Sequence, residues 1–343
     1  MQLVIKDKNK TRINRLFDWV IHMIGYILVF IGVTSFFKSI YIDSDHLIIW
    51  SSIIVLVIYI LCIFVPLLLN SGYKSYKITK VGTLGFYNSA NEISGIISIL
   101  TPILLLNIMD NRSISKIIFS IIYLIVIVTI GTKTPILSLG ITMGAIFIYL
   151  IKRYKEKKKY KNIVISFVSL FVVIAGIILI LPRTNFYKNI ETHMEFLKID
   201  EVEDIANPKV FDHFIFSQRL TFLSNRCMEY HESNLYEKIF GTGFTKNNKE
   251  LKEVEIDYFD IYLSLGIVGF VICIGSFLYV LFKILKNNKI KDFKDYMYFL
   301  SILIIILLSF FTGHIITAPS VSLIVCIIII STFNTKYKKR RKI

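Results

Sequence analysis

The sequence has few charged residues for its length. Only 19% of its 343 residues are Asp, Glu, Lys or Arg, whereas 55% are apolar. Soluble domains usually carry roughly 25% charged and about 45–50% apolar residues. This shortage of charge argues against an ordinary soluble enzyme.

Cysteine patterns and metal-site motifs are also scarce. Cys62, Cys273 and Cys326 lie in apolar stretches, Cys227 lies in a polar one, and no CxxC pair is present. Neither a disulfide framework nor a zinc site is therefore supported. No HxxE, Ser-His-Asp or paired-metal spacing occurs, so we expect no metal and no other cofactor. The N-terminal residues are too polar for a cleavable signal peptide, and we expect none.

Apolar residues are abundant, and they come in blocks of about twenty. A helix of that length crosses roughly 30 Å of hydrocarbon while bonding its own backbone. We therefore predict an all-α, polytopic transmembrane bundle of about nine helices, with one large extracytoplasmic loop between helices six and seven. The predicted blocks are 17–37, 47–69, 86–109, 114–131, 134–151, 162–182, 257–282, 296–312 and 319–334.

The net charge of +16 is concentrated in a few loops. Lys152–Lys161, Lys283–Lys294 and Lys336–Lys342 are rich in basic residues, which predicts that all three face the cytoplasm. Residues 183–256 then lie outside, and they hold 13 of the 24 acidic but only 10 of the 40 basic residues. Because the basic residues serve orientation, we expect no nucleic-acid partner.

These assignments divide the chain into three predicted parts. Membrane helices, about six of them, occupy residues 1–182, the extracytoplasmic loop occupies 183–256, and about three further helices with a basic cytoplasmic tail occupy 257–343. The N-terminal half gives conflicting topologies. Basic residues between Lys6 and Arg15 predict a cytoplasmic start, which places 72–80 inside after two crossings, whereas counting backward from Lys152 places 72–80 outside. We favour the backward count.

Two polar motifs stand at the heads of apolar blocks. GFYNSANEIS places Asn91 and Glu92 where they are either functional intramembrane groups or an ordinary helix N-terminus. GTKTP places Lys133 between two blocks, where it either holds an anion or extends to the lipid headgroups.

Further motifs belong to the long loop and the last turn. SQRL contains Arg219, and KIFGTGF contains a Gly-x-Gly pair that is too short for a nucleotide motif. EIDYFD places Glu255 and Asp257 at the mouth of the seventh block, where each is either a general base or an acidic cap on the helix. His314 lies in the turn between the last two blocks as a base, an anion contact or a polar turn residue.

In this order, from GFYNSANEIS to GHIITAPSVS, the motifs resemble the bacterial O-antigen polymerase and ligase superfamily, especially polymerase-like members of capsule and exopolysaccharide clusters. The resemblance covers about residues 73–330. It implies a glycosyltransferase of the bacterial plasma membrane that moves a sugar chain from polyprenyl diphosphate to a sugar hydroxyl of an acceptor on the outer face. Its implied partners are the lipid-linked oligosaccharide, membrane lipid and other polysaccharide-export proteins, with no metal or nucleotide sugar.

The resemblance also implies substrate-binding residues. Arg219 matches the loop arginine of the family, and a guanidinium suits bidentate binding of phosphate. Lys133 stands where many members carry a Ser-Arg pair. The positive charge is therefore kept, but the planar guanidinium that binds two oxygens at once is lost. The motif with Asn91 and Glu92 faces outward in the family, which makes these two residues substrate contacts and agrees with the backward count.

For the base, the resemblance leaves Glu255, Asp257 and His314 as candidates. Ligases of the family carry a histidine before the seventh block, and the acidic residues found there in this sequence favour a polymerase. In-line attack opposite the diphosphate would invert the anomeric centre. A ligase-type transferase, a flippase or transporter of lipid-linked sugars, and a structural or sensor protein are the alternatives.

Overall fold

The computed structural model describes residues 44–76, 81–110, 113–158, 160–242, 254–275, 277–279, 282, 286, 292–313, 315–318 and 320–329. These residues are predominantly helical, and they contain one isolated β-bridge but no β-strand. The helices are α1 (Ser44–Leu68), α2 (Ala90–Asp110), α3 (Ile114–Ile130), α4 (Lys133–Glu156), α5 (Tyr160–Ile180), α6 (Asn185–Leu197), α7 (Pro208–Phe211), α8 (Arg219–Glu232), α9 (Leu235–Phe240), α10 (Asp257–Phe270), α11 (Phe293–Phe311) and α12 (Ser320–Ile329).

Several of these helices have the length and composition of membrane spans. The predicted all-α, multi-pass membrane architecture is therefore confirmed, whereas the number of nine helices stays a prediction. The first predicted block, 17–37, lies outside the described residues. The five candidate spans among the described residues are Ile49–Leu68, Ala90–Met109, Lys133–Glu156, Asp257–Tyr279 and Phe293–Phe311, and α3 and α12 are shorter apolar helices.

The chain forms two compact units. The N-terminal unit comprises His46–Ala206 and Ile290–Leu308. The described residues of the C-terminal unit are Ser44 and Asp45 together with those within 207–286 and 309–329. Helix α1 from His46 onward and helices α2 to α6 thus belong to the N-terminal unit, and α7 to α10 belong to the C-terminal unit.

Helix α1 contains an internal proline whose lost hydrogen bond is replaced from outside the helix. Pro66 has no N–H, so the carbonyl of Cys62 loses its helical donor. The N–H of Phe86 takes that place at 3.1 Å. Because lipid offers no donor, such a replacement is what allows a proline inside a membrane helix.

Helix α2 repeats this arrangement with a side chain as the donor. Pro102 leaves the carbonyl of Ser98 without a helical partner, and the hydroxyl of Ser138 in α4 donates to it at 2.7 Å. The bond also ties α2 to α4 in the interior of the unit, where both serines are fully buried. The carbonyl that the proline frees in α2 is thus bonded by a serine of α4 that lies far away in the sequence.

One end of the N-terminal unit brings together three distant segments. The carbonyl of Thr129 accepts bonds from the Thr83 N–H at 3.0 Å and from the Asn185 side-chain amide at 3.1 Å. The carbonyl of Ile130 accepts the Ser75 hydroxyl at 2.6 Å. The segment before α2, the α3–α4 turn and the start of α6 therefore lie at the same end. This agrees with the backward count, and the first predicted block on which the forward count depends lies outside the described residues.

Candidate active site

The SQRL motif of the C-terminal unit forms a sharp turn that starts α8. Ser217 and Gln218 have positive φ angles of 55° and 68°, and Arg219 follows as the first helical residue. Gln218 does not cap the helix with its side chain. The buried carboxylate of Asp212 does so instead, because it accepts two backbone N–H groups of the first turn at 2.9 Å and the hydroxyl of Thr221 at 2.6 Å. The position of Arg219 is thus fixed by a carboxylate upstream of the motif.

Arg219 is a buried cation, with only 8% of the residue exposed. One terminal nitrogen donates to the carbonyl of Phe311 at 2.6 Å, and the other pairs with the carboxylate of Glu255 at 3.4 Å. Among the described residues, the buried Nε–H of Arg219 has no hydrogen-bond partner. A buried donor without a partner costs about 1–3 kcal/mol, so this N–H is suited to an acceptor supplied by an anion.

Glu255 is held in a left-handed backbone conformation, with φ 60°. The carboxylate of Asp260 accepts hydrogen bonds from the backbone N–H groups of the two residues that flank Glu255, Val254 at 2.9 Å and Ile256 at 3.1 Å. Val254 and Ile256 are themselves buried in a cluster with Leu263. Because both flanking residues are anchored, the backbone at Glu255 is fixed and its side chain pairs with Arg219.

Asp257 has no exposed surface and bonds to the turn that precedes α12. Its carboxylate accepts the backbone N–H groups of Ile315 at 2.8 Å and Ile316 at 2.7 Å, and the hydroxyl of Thr317 at 2.9 Å. Three donors thus converge on one carboxylate. The contact joins the start of α10 to this turn.

The same turn approaches Glu255 through a glycine. A Cβ atom added at Gly313 would lie 2.7 Å from Cα, Cβ and the carbonyl oxygen of Glu255, which is too close for any side chain. The first residue of the Gly-His pair is therefore a glycine because the backbone at Gly313 lies directly against Glu255. His314, the third predicted base, lies outside the described residues.

The Gly-x-Gly motif of the loop packs against a break in α10. The helix is interrupted at Gly266, which has φ 67° and ψ −171°. Thr242 donates two hydrogen bonds to the carbonyl of Leu263, one from its N–H at 3.2 Å and one from its hydroxyl at 3.1 Å. A Cβ at Gly241 would lie 2.1 Å from the carbonyl oxygen of Ser264. The first glycine of the motif thus permits close backbone packing, and Thr242 bonds to the interrupted helix.

A second buried arginine was absent from the sequence prediction. Arg226 is 4% exposed, pairs with Glu229 and donates to the hydroxyl of Thr242 at 3.4 Å. It follows Arg219 by seven residues, which places both on one face of α8. That spacing is visible in the sequence and was the available signal for a buried arginine pair.

Tyr230 continues the same face of α8. Burial, together with a hydrogen bond to the Tyr262 side chain, raises the pKa of Tyr230 to about 12. Its hydroxyl stays protonated at neutral pH and donates to the carbonyl of Lys238 at 2.8 Å. Tyr230 therefore joins α8 to α9 and supports the helix that carries the arginines.

The other predicted contacts lie in the N-terminal unit. Glu92 stands in the first turn of α2, Asn91 beside it is half-buried, and Lys133 is the exposed first residue of α4. The hydroxyls of Ser94 and Thr132 lie 2.7 Å apart, so the two predicted motifs meet at the starts of α2 and α4. Both helix starts carry the positive end of the helix dipole.

Within the part of the chain that the structure describes, no three His, Cys, Asp or Glu side chains cluster as a metal site would require. The C-terminal unit thus brings Arg219, Glu255 and Asp257 together, and the N-terminal unit brings together the motifs of Asn91, Glu92 and Lys133.

Comparison with protein families identifies what kind of enzyme carries this site. A family model described as O-antigen ligase like membrane protein matches residues 2–210 and 198–334. The chain belongs to this family. The predicted superfamily is thereby confirmed, and the O-antigen ligase like membrane proteins are a class of membrane glycosyltransferase-type enzymes. No curated protein and no solved structure matches the chain.

Proposed function

We propose that this O-antigen ligase like membrane protein is a polysaccharide polymerase of the bacterial plasma membrane. It would transfer an oligosaccharide from polyprenyl diphosphate to a sugar hydroxyl of an acceptor on the outer face. The pairing of buried Arg219 with Glu255 supports this proposal, because it joins a cation for a diphosphate to a carboxylate for a proton. Glu255 and Asp257, which stand at the start of α10 in place of a histidine, favour a polymerase.

Arg219 is proposed to bind the diphosphate of the donor. Its guanidinium offers a planar fork that matches two phosphate oxygens, and its Nε–H lacks a partner among the described residues. A diphosphate that bonds to Nε and to the neighbouring terminal nitrogen would compete with Glu255 for the guanidinium. Binding of the donor would therefore part the Glu255 carboxylate from Arg219.

Glu255 is proposed to accept the proton of the acceptor hydroxyl. Its side chain is 24% exposed, whereas Asp257 is fully buried and binds three donors. The hydroxyl oxygen would attack the anomeric carbon, and the bond from that carbon to the diphosphate oxygen would break. The electron pair would stay on the diphosphate beside Arg219, the proton would pass to Glu255, and in-line attack would invert the anomeric centre.

Other assignments stay predictions from the sequence. Asn91, Glu92 and Lys133 are expected to contact the substrate, and His314 is expected to act as a second base or a phosphate contact. Membrane lipid and polysaccharide-export proteins remain the expected partners.

A reconstitution experiment tests the proposal. The purified chain is placed in vesicles with a polyprenyl-diphosphate-linked oligosaccharide, and the products are separated on a gel. The native chain should give a ladder of polymer lengths, and Glu255→Gln and Arg219→Lys should each lower the transfer rate at least about 100-fold. Glu232→Gln and Arg183→Lys, at exposed positions, are the matched controls and should retain the ladder. Full-length polymer from both site variants would exclude the proposed site.

Ligase-type transfer is the second candidate function, because the family to which the chain belongs is that of O-antigen ligase like membrane proteins. The same assay separates the two functions if an acceptor glycan on a different lipid is added. A polymerase extends the lipid-linked donor into a ladder, whereas a ligase moves one glycan to the added acceptor. Movement of the substrate across the vesicle membrane without covalent change would support a transporter instead.

A further inference from the structure

A cavity of about 280 Å³ lies in the N-terminal unit. It is lined by the ends of α2 and α4 and by the residues at the start of α11. The starts of α2 and α4 meet at the contact between Ser94 and Thr132. Because each helix extends over roughly 30 Å, the cavity stands at the opposite border of a membrane.

Aromatic contacts hold the walls of the cavity in place. The ring of Tyr149 in α4 stacks on Tyr296 at 5.3 Å and lies 4.9 Å from the ring of Phe293. The hydroxyl of Tyr296 donates to the carbonyl of Ala145 at 3.1 Å. These contacts join α4 to α11 and fix the two walls of the cavity.

The lining of the cavity is cationic. Arg153 and Lys294 contribute two positive charges, and Asp292 contributes one negative charge. The Asp292 carboxylate accepts the N–H of Asp295 at 2.9 Å and so caps the start of α11. The residues from Lys152 to Lys158 include five Lys or Arg and one Glu, so the surroundings are positive as well.

The apolar part of the lining distinguishes a lipid from a soluble anion. Leu106 and Met109 line the cavity beside the cations, and Met109 is 38% exposed. A soluble phosphate has no apolar part to place on this surface, whereas the upper acyl chain of a lipid can pack on it through van der Waals contacts. A volume of this size is at the lower end for ligand pockets and suits a headgroup better than a whole lipid-linked oligosaccharide.

We propose that this cavity binds the headgroup of an anionic phospholipid of the cytoplasmic leaflet. Arg153 and Lys294 contact the phosphate, and Leu106 and Met109 contact the start of the acyl chain. The side of the membrane follows from the basic loop after α4, which predicts a cytoplasmic position. The cavity shares no lining residue with those proposed for glycosyl transfer, and the proposal does not depend on their roles.

Lipid binding by the purified full-length chain tests this proposal. Native mass spectrometry in detergent measures the occupancy of phosphatidylglycerol, of phosphatidylcholine and, in a third arm, of inorganic phosphate. The native chain should bind phosphatidylglycerol about tenfold more tightly than phosphatidylcholine. Arg153→Gln combined with Lys294→Gln should abolish most of this preference. Lys157→Gln combined with Lys158→Gln removes the same charge outside the cavity and should retain the preference.

Three outcomes would overturn the assignment. Equal binding of the two phospholipids would exclude an anionic headgroup site. An equal loss in the cavity variant and in the control would indicate general attraction to the basic loop. Inorganic phosphate that displaces phosphatidylglycerol at similar concentrations would indicate a soluble ligand. Arg153→Gln alone, at an exposed position, serves as a second variant if the double variant does not fold, and it should weaken the preference at least about threefold.

Discussion

Glu255, Asp257 and Asp260 stand within six positions of the chain, and each carboxylate has different partners. Glu255 pairs with Arg219, Asp257 binds a turn whose donors lie 58 to 60 residues further along, and Asp260 binds the backbone around Glu255. Only the proximity of the three is visible in the sequence. Their division of roles depends on donors from distant segments, so the sequence alone left Glu255 and Asp257 as equal candidates and did not single out Asp260.

Asp260 is therefore predicted to be a positioning residue for Glu255. Asp260→Asn keeps one acceptor oxygen, so either Val254 or Ile256 loses its bond and the backbone at Glu255 is no longer fixed. We expect kcat for transfer to fall at least about tenfold while KM for the lipid-linked donor stays unchanged, because the Phe311 carbonyl and the Asp212 cap still position Arg219. Steady-state kinetics in vesicles measure both quantities.

Asp204 offers a matched control for that substitution. Its carboxylate accepts the N–H groups of Glu201 and Asp200, each at 2.9 Å, and these bonds lower the pKa of Asp204. Asp204→Asn makes the same chemical change in the N-terminal unit and should leave kcat unaltered. A rise in KM with kcat unchanged in Asp260→Asn would contradict the positioning role.

At the scale of helices, breaks in regular structure are matched by donors from other segments. The interruptions at Pro66, Pro102 and Gly266 each free a carbonyl that a neighbouring segment bonds. Apolar blocks such as 114–131 predicted helices to within a few residues, since membrane thickness fixes helix length. The donors could not be predicted in the same way, because nothing in a block indicates which other block supplies them.

The bond between Ser138 and the Ser98 carbonyl leads to a prediction at this scale. Ser138→Ala removes the donor and leaves a buried carbonyl unpaired, which should lower the free energy of unfolding by roughly 1–3 kcal/mol. In a Pro102→Ala background, the new backbone N–H can bond to Ser98, so the same substitution should cost at least about 1 kcal/mol less. Denaturant titration in detergent measures all four chains of this double-mutant cycle.

Thr142 provides the control for this cycle. Its hydroxyl donates to the carbonyl of Ser138 within α4 at 2.7 Å, a bond that does not involve the proline. Thr142→Val should therefore have the same effect with and without Pro102. If Ser138→Ala also cost the same in both backgrounds, the serine would not be replacing the missing helical bond.

At the scale of the whole molecule, charge and hydrogen bonding give complementary information on topology. The basic loop after α4 predicts which end faces the cytoplasm, but the two counts from the sequence disagreed on residues 72–80. Hydrogen bonds from Ser75 and Asn185 to the α3–α4 turn place these segments at one end of the N-terminal unit. Charge alone could not resolve the conflict because a single misassigned crossing reverses every later assignment.

Labelling of single cysteines tests this topology in intact cells. In a chain whose four native cysteines are replaced, Ser71→Cys and Lys188→Cys lie at the end that holds the α3–α4 turn, and Lys157→Cys lies beyond the other end of α4. All three positions are exposed, so a difference in labelling reports the side of the membrane. A membrane-impermeant maleimide should label the Ser71→Cys and Lys188→Cys chains directly, and the Lys157→Cys chain only after the membrane is permeabilised. Direct labelling of position 157, with positions 71 and 188 labelled only after permeabilisation, would support the forward count. Labelling of position 71 together with position 157 would contradict both counts.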